Sequence, residues 1–217
     1  MRRSLFWGVD SAAIADQTLL NCVVTNFGQP DFWGRYLTTV PNVNEGLSKE
    51  EITFMRNKGI KLLPIYNNFQ EAIGYSTGRV AARNAIFNAQ RLGINNDTFI
   101  FANVENFFNI DADWLMGWAD AFDESSFRPG YYNDPVEGDF NEAFCQAQEQ
   151  NENVRNQTVL WSAEPEPGVT RKRDIPAYNP ESPTCGGNVW AWQYGRDAEI
   201  CPIDTVLMEA QLFNSLS

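Results

Sequence analysis

The sequence contains no histidine. Ser-His-Asp and Cys-His nucleophile systems are therefore excluded, as are zinc and iron sites built on imidazole. Basic residues are few: 16 Lys and Arg stand against 28 Asp and Glu, a net charge of −12. That balance argues against nucleic acid and against anionic membrane surfaces, where phosphate contacts need cations. No apolar run is long enough to span a bilayer, so no membrane insertion is expected. There is no G-x-G-x-x-G and no phosphate-binding glycine loop, which removes support for a nucleotide fold. The four cysteines, Cys22, Cys145, Cys185 and Cys201, include no C-x-x-C pair. No metal site and no cofactor are expected. Cys185 and Cys201 flank one predicted strand and are placed to bridge two loops, whereas Cys22 and Cys145 lie on apolar helix faces and read as free buried thiols. Arg2-Arg3-Ser-Leu-Phe6 is loosely like a twin-arginine start, but Gly8-Val9-Asp10 replaces the apolar stretch that must follow, so no signal peptide is read here.

Aromatic residues are plentiful, with 7 Trp, 7 Tyr and 15 Phe. Much of this is core, and a surplus of Trp and Tyr also suits the C–H faces of sugar rings. Short apolar runs alternate with amphipathic stretches along the whole chain. Strands are predicted at Leu5–Asp10, Phe32–Leu37, Ile60–Tyr66, Phe99–Glu105, Arg128–Asn133, Gln157–Ser162 and Asn188–Tyr194, with Ile203-Asp204 at most the stub of an eighth. Helices are predicted between them: about 16–26, from the capping box Ser48-Lys-Glu-Glu51 to Gly59, Val80–Leu92 after a loop through Gly74 and Gly78, a helix capped by Asp111 or Asp113, one capped by Asp139, and Val206–Leu216. This alternation argues for a parallel sheet in one α/β domain over residues 1–217. Seven or eight units suggest a compact, modified (β/α)8 TIM-like barrel, with a doubly wound open sheet as the alternative.

Phe99-Ile-Phe-Ala-Asn-Val-Glu105 is the central strand. A run this apolar is buried on both faces and has no packing use for Glu105. A carboxyl at the strand exit is the best candidate for a proton donor whose neighbours raise its pKa. Other exits are also polar or aromatic: Asp10, Arg35 and Tyr36, Tyr66 and Asn67, Asn103, Tyr132 and Asn133, Trp161 and Glu164, Gln193 and Tyr194, and Asp204. In a parallel barrel these ends share one mouth. Carboxyls and amides interleaved with Tyr and Trp suit a neutral polar ligand such as a glycan. Arg35 is expected to pair with a mouth carboxylate. The Trp114-Trp118 stripe reads as core, Trp190 and Trp192 as packing or subsite, and Glu164 with Glu166 as a solvated loop.

Gly8-Val9-Asp10, Asn103-Val104-Glu105, Leu160-Trp161, Trp192-Gln193-Tyr194 and Ile203-Asp204 together resemble the family 25 glycoside hydrolases, lysozymes that cut the muramic acid linkage of peptidoglycan. The chain resembles more closely a bacterial family of glycoside-hydrolase-like domains of unknown function, of the Rv2525c-like type. The stretches that carry this are Phe32-Trp-Gly-Arg-Tyr-Leu-Thr-Thr39, Leu63-Pro-Ile-Tyr-Asn67, Tyr132-Asn-Asp-Pro135, Trp161-Ser-Ala-Glu-Pro-Glu-Pro-Gly168 and Ala191-Trp-Gln-Tyr-Gly195. The resemblance implies a modified eight-stranded barrel with a groove at its C-terminal face and a glycan partner, peptidoglycan or a similar polysaccharide. It implies Glu105 as general acid, Asp10 and Asp204 as supporting carboxylates, and Asn103, Tyr36, Tyr66, Asn67, Tyr132, Trp161, Gln193 and Tyr194 around the sugar. It also goes with an extracellular or wall-associated location. One departure matters: Asn103 stands where the lysozymes carry the first carboxylate of D-x-E. Either Asp10 or Asp204 takes that role, or the groove is a catalytically impaired glycan-binding module. A third reading sets Asp10, Glu105 and Asp204 on Mg²⁺ or Ca²⁺.

Overall fold

The computed structural model describes residues 4–216, so Arg2 and Arg3 lie outside the described residues. Eight strands close into one barrel in the order β1 to β8. They are β1 (Leu5–Asp10), β2 (Phe32–Tyr36), β3 (Lys61–Tyr66), β4 (Phe99–Asn103), β5 (Arg128–Asn133), β6 (Val159–Ser162), β7 (Val189–Gly195) and β8 (Asp204–Glu209). The first seven run parallel, joined by α1 (Gln17–Asn26), α2 (Lys49–Asn57), α3 (Tyr75–Leu92), α4 (Ala112–Ala121), α5 (Phe140–Gln150) and α6 (Glu152–Gln157). The connection from β6 to β7 holds only a 3-10 turn at Lys172–Asp174. The α/β barrel expected from the alternation is thus the observed fold.

Strand residues alternate between two cores, as the two-residue period requires. Phe32, Leu63, Phe101, Val159, Trp161 and Met208 fill the barrel. Trp7, Val9, Trp33, Ile100, Tyr131 and Leu207 pack outward beneath the helices. All five residues of β4 are buried, as its composition predicts. Helix starts follow side-chain chemistry: Asp16, Ser48 and Asp111 each accept the backbone N–H three residues on. Asp111, not Asp113, caps α4. Asp139 precedes α5 without a capping side-chain bond.

The eighth strand departs from expectation. Val206–Leu216 was expected to be helical, but β8 runs to Glu209 and only α7 (Ala210–Ser215) follows. Residues 196–203 cannot hold a crossover helix, so β8 returns antiparallel to both β7 and β1. Asp204 therefore reaches the mouth from the start of a strand. α7 closes the opposite end, with Leu212 and Leu216 in the inner core and Phe213 stacked on Phe6 at 3.7 Å. Gly78, expected in a loop, lies inside α3. A Cβ there would collide with the Trp114 carbonyl, and one at Gly117 with the Tyr75 carbonyl, so this glycine pair lets α3 and α4 cross closely. The residues near Gln157 form α6, capped by Asn151, before β6 begins.

The cysteine expectation is also corrected. Cys22 bonds Cys201, and Cys145 bonds Cys185; no cysteine is free among the described residues. Cys22 and Cys145 sit half-buried on their helices, within reach of loop cysteines, with Cα–Cα separations to their partners of 6.1 and 5.5 Å.

Candidate active site

The C-terminal ends of the parallel strands gather Asp10, Glu105, Tyr36 and Tyr132, and the reversed β8 adds Asp204. Asp10 and Asp204 are directly opposite in the β1–β8 ladder. Asp10 points into the barrel because the neighbouring β2 residue is Gly34; a Cβ there would sit 2.5 Å from the Asp10 Cβ and 3.2 Å from the Trp161 ring. One amide organises this floor. Gln193 accepts from the Tyr132 hydroxyl at 2.8 Å and donates through Nε2 to Asp10 at 2.9 Å and Asp204 at 3.2 Å. The other Asp204 oxygen accepts the Asp197 backbone N–H at 2.7 Å.

Glu105 lies two residues past β4, half-buried at the rim. The Asn103 side chain donates to its Oε1 at 2.7 Å. The amide that replaces an expected carboxylate thus orients Glu105. Phe107, two residues on and 76% exposed, is edge-on to Phe108, which packs in turn on Phe69.

Burial pushes the Asp10 carboxyl well above its ordinary range, and the charges of Asp204 and Glu105 add to this. Burial raises Asp204 to about 6, with the Asp197 carboxylate contributing and the Asp197 N–H opposing. The Tyr36 and Tyr132 phenols are pushed up first by burial and then by the carboxylates, so both remain hydrogen-bond donors. The charges of Asp10, Glu105 and Asp204 all add to the rise at Tyr36. Such a site can hold one proton on a buried carboxyl pair while presenting a third carboxyl to solvent.

Several sequence expectations are corrected. Tyr66 and Tyr194 do not line the mouth. Each is on the outward face of its strand: Tyr66 packs on Trp118, and Tyr194 accepts from Trp7 Nε1 at 3.0 Å. Arg35 is likewise outward and fully buried, paired with Glu51 of α2 at 2.6 Å rather than with a mouth carboxylate. That pairing uses the Glu51 side chain, which therefore does not close the capping box. Trp161 is in the barrel interior, edge-on to Tyr132 at 5.2 Å, and forms the floor. Asn67 is buried at the β3 exit and donates to Asn44 at 2.7 Å. Glu166 is not simply solvated: it pairs with Arg196 at 3.6 Å and accepts its backbone N–H. Arg196 was missed. It opposes the raised carboxyls of Asp10 and Asp204, and its position directly after β7 was the available signal. Among the described residues no group of three or more acidic or cysteine side chains is gathered closely enough to hold a metal ion, and no helix is long and apolar enough to cross a membrane.

The fold recurs in solved structures. An uncharacterized B. stearothermophilus protein is 52% identical over 98% of this chain and 100% of its own, with a TM-score of 0.96. The Tat-secreted protein Rv2525c of Mycobacterium tuberculosis, solved in complex with HEPES, is 11% identical over 94% of this chain and 95% of its own, with a TM-score of 0.60. A muramidase from Acremonium alcalophilum is 12% identical over 97% and 98%, with a TM-score of 0.58. At such low identity the last two share the fold alone. None of the curated proteins matches. The model of the Rv2525c-like, glycoside hydrolase-like domain matches residues 30–179, a span that runs from β2 through the acidic loop after β6 and includes Asn103 and Glu105. With that span matched, and with a barrel whose mouth gathers carboxyls from β1, the β4 exit and β8, the chain belongs to the Rv2525c-like, glycoside hydrolase-like domain family.

Proposed function

We propose that this protein is a glycoside hydrolase of peptidoglycan or a related amino-sugar polymer. The observation that carries the reading is the convergence of Asp10, Glu105 and Asp204 on one aromatic-lined mouth. Glu105, accessible and held by Asn103, is the general acid that protonates the leaving oxygen. Asp10 and Asp204, bridged by Gln193, are the supporting carboxylates that hold substrate and water and stabilise developing positive charge. Tyr36 supplies a donor, Tyr132 holds the Gln193 bridge in place through its hydroxyl, and the exposed Phe107 ring offers a face to a neighbouring sugar. The likeness in fold to a muramidase favours amino-sugar linkages over other glycans. Two disulfides suit an oxidising compartment, and the secreted relative agrees, so the protein works outside the cytoplasm.

A second reading has its own observation. Asn103 cannot carry negative charge or take a proton from water, so the mouth could bind glycan without cutting it. Reducing-end release from purified peptidoglycan separates the two, with wild type measured beside Glu105→Gln and Asn103→Ala. Hydrolysis predicts no release from Glu105→Gln and, from loss of the oriented acid, about 10- to 100-fold less from Asn103→Ala. Release by Glu105→Gln at the wild-type rate would remove the assignment. Retention of the polymer with no release from any of the three would establish the binding module.

A further inference from the structure

At the end of the barrel opposite the acidic mouth, a cavity of about 510 Å³ opens between the last loop before β7 and the end of β8. Tyr178, Asn179, Asn188, Trp190, Glu209 and Gln211 line it. A second cavity of about 190 Å³ adjoins it across Asn188 and Trp190 and reaches Arg128 and Gln157. Topology explains why these residues meet. Arg128 and Trp190 stand at the starts of parallel strands, and Glu209 at the end of the antiparallel one, so all lie at the same end.

We infer that this trough is a second, non-catalytic glycan site. In a chain of net charge −12, the two cavities are lined by five amides, one acid and one base, with three aromatic rings, Tyr178, Trp190 and Phe99. Neutral donors and acceptors beside ring faces match the hydroxyls, N-acetyl groups and C–H faces of a neutral sugar chain. An anionic ligand would find only one cation there, and a lipid would find too little apolar surface.

The rings are already fixed. Trp190 meets the Phe99 ring edge-on at 5.8 Å, and the Arg128 guanidinium covers Phe99 at 5.2 Å. Tyr178 donates to the Val189 carbonyl at 3.1 Å and packs edge-on against Trp192. Gln211 donates to Glu209 at 3.0 Å. One wall is tethered to α5 by the Cys145–Cys185 bond. Little ordering is left for a ligand to impose, which favours binding. The barrel between mouth and trough is filled by Phe32, Leu63 and Phe101, so no strand threads both sites. The trough instead holds a separate strand and keeps the barrel on an insoluble polymer between cuts.

The choice of glycan rests on the function proposed above, so the test separates the two. The full chain carrying Glu105→Gln is titrated with a tetramer of N-acetylglucosamine while backbone and indole NMR shifts are followed. Shifts at 187–190 and 209–211 are expected beside those at the mouth. Asn179→Ala with Gln211→Ala removes exposed side chains only, so folding is preserved where Trp190→Ala could disturb the base. Losing two neutral hydrogen bonds should weaken retention on peptidoglycan about tenfold while leaving hydrolysis of the soluble tetramer unchanged. Shifts confined to the mouth, or undiminished retention by the double variant, would overturn the second site and leave the hydrolase standing. Shifts at the trough in a wild-type protein that releases no reducing ends would do the reverse.

Discussion

Asp10 and Asp204 face each other across the β1–β8 ladder and share one hydrogen-bond donor, the Gln193 amide nitrogen. Like charges directly opposite in a sheet destabilise it, and burial makes this pair worse. A third group anchors the bridge, since the Tyr132 hydroxyl fixes which way the Gln193 amide points. The barrel therefore carries an electrostatic cost at its mouth that no packing argument requires.

The first prediction concerns pH. The folded Asp204 carboxyl titrates at about 6 against an ordinary 3.8, and Asp10 is raised as well. The native protein then keeps protons that the unfolded chain has released. This pair's contribution to stability is fully present below about pH 4 and is lost as pH rises through about 6 at Asp204, with the raised Asp10 carboxyl acting in the same direction. Urea midpoints at pH 5 and pH 7.5 should differ less in Asp10→Asn/Asp204→Asn than in wild type. An equal or larger difference in the double variant would contradict the raised pair.

Removing one charge should stabilise. Asp10→Asn keeps the shape and an acceptor for Gln193, and ends the repulsion. At pH 7.5 it should gain about 1–3 kcal/mol, or roughly 3–8 °C in Tm, while peptidoglycan hydrolysis falls. Calorimetry beside the reducing-end assay checks both. A drop in Tm would mean that Asp10 pairs favourably in the native state.

The two disulfides should not be equivalent. Cys22–Cys201 fastens α1 to the connection between β7 and β8, which carries Arg196 and the Asp197 N–H that holds Asp204. Cys145–Cys185 fastens a loop at the base. Replacing either pair by serine should cost about 2–5 kcal/mol. Only Cys22→Ser/Cys201→Ser should also reduce hydrolysis at a temperature where both variants are folded. Equal activities in the two variants would separate that connection from the mouth.

Much of this was legible from the chain itself. Apolar runs punctuated by Asp16, Ser48 and Asp111 marked the seven parallel strands and most of the helices. β8 was misread because an apolar stretch such as Val206–Leu207–Met208 fits either period, and the decisive clue was the shortness of residues 196–203. Tyr66 and Tyr194 were misplaced for a different reason. Proximity to a strand exit does not say which face a side chain takes, and a shift of one residue moves it through the wall. Parity counted from Asp10, or along β7 from Gln193, would have separated Gln193 from Tyr194. Disulfide connectivity does not follow from spacing, and here both bonds join residues far apart in sequence.

The reversal of β8 also sets the order of assembly. β1 lies between β2, the next strand made, and β8, the last. Its outer edge has no partner until the end of the chain is available, and α7, which stoppers the inner core, comes later still. A chain that emerges N-terminus first, from a ribosome or through a translocation pore, carries an open sheet with an unpaired margin for the whole of its passage. The ring can close only once residues 204–209 lie on the same side of any barrier as β1.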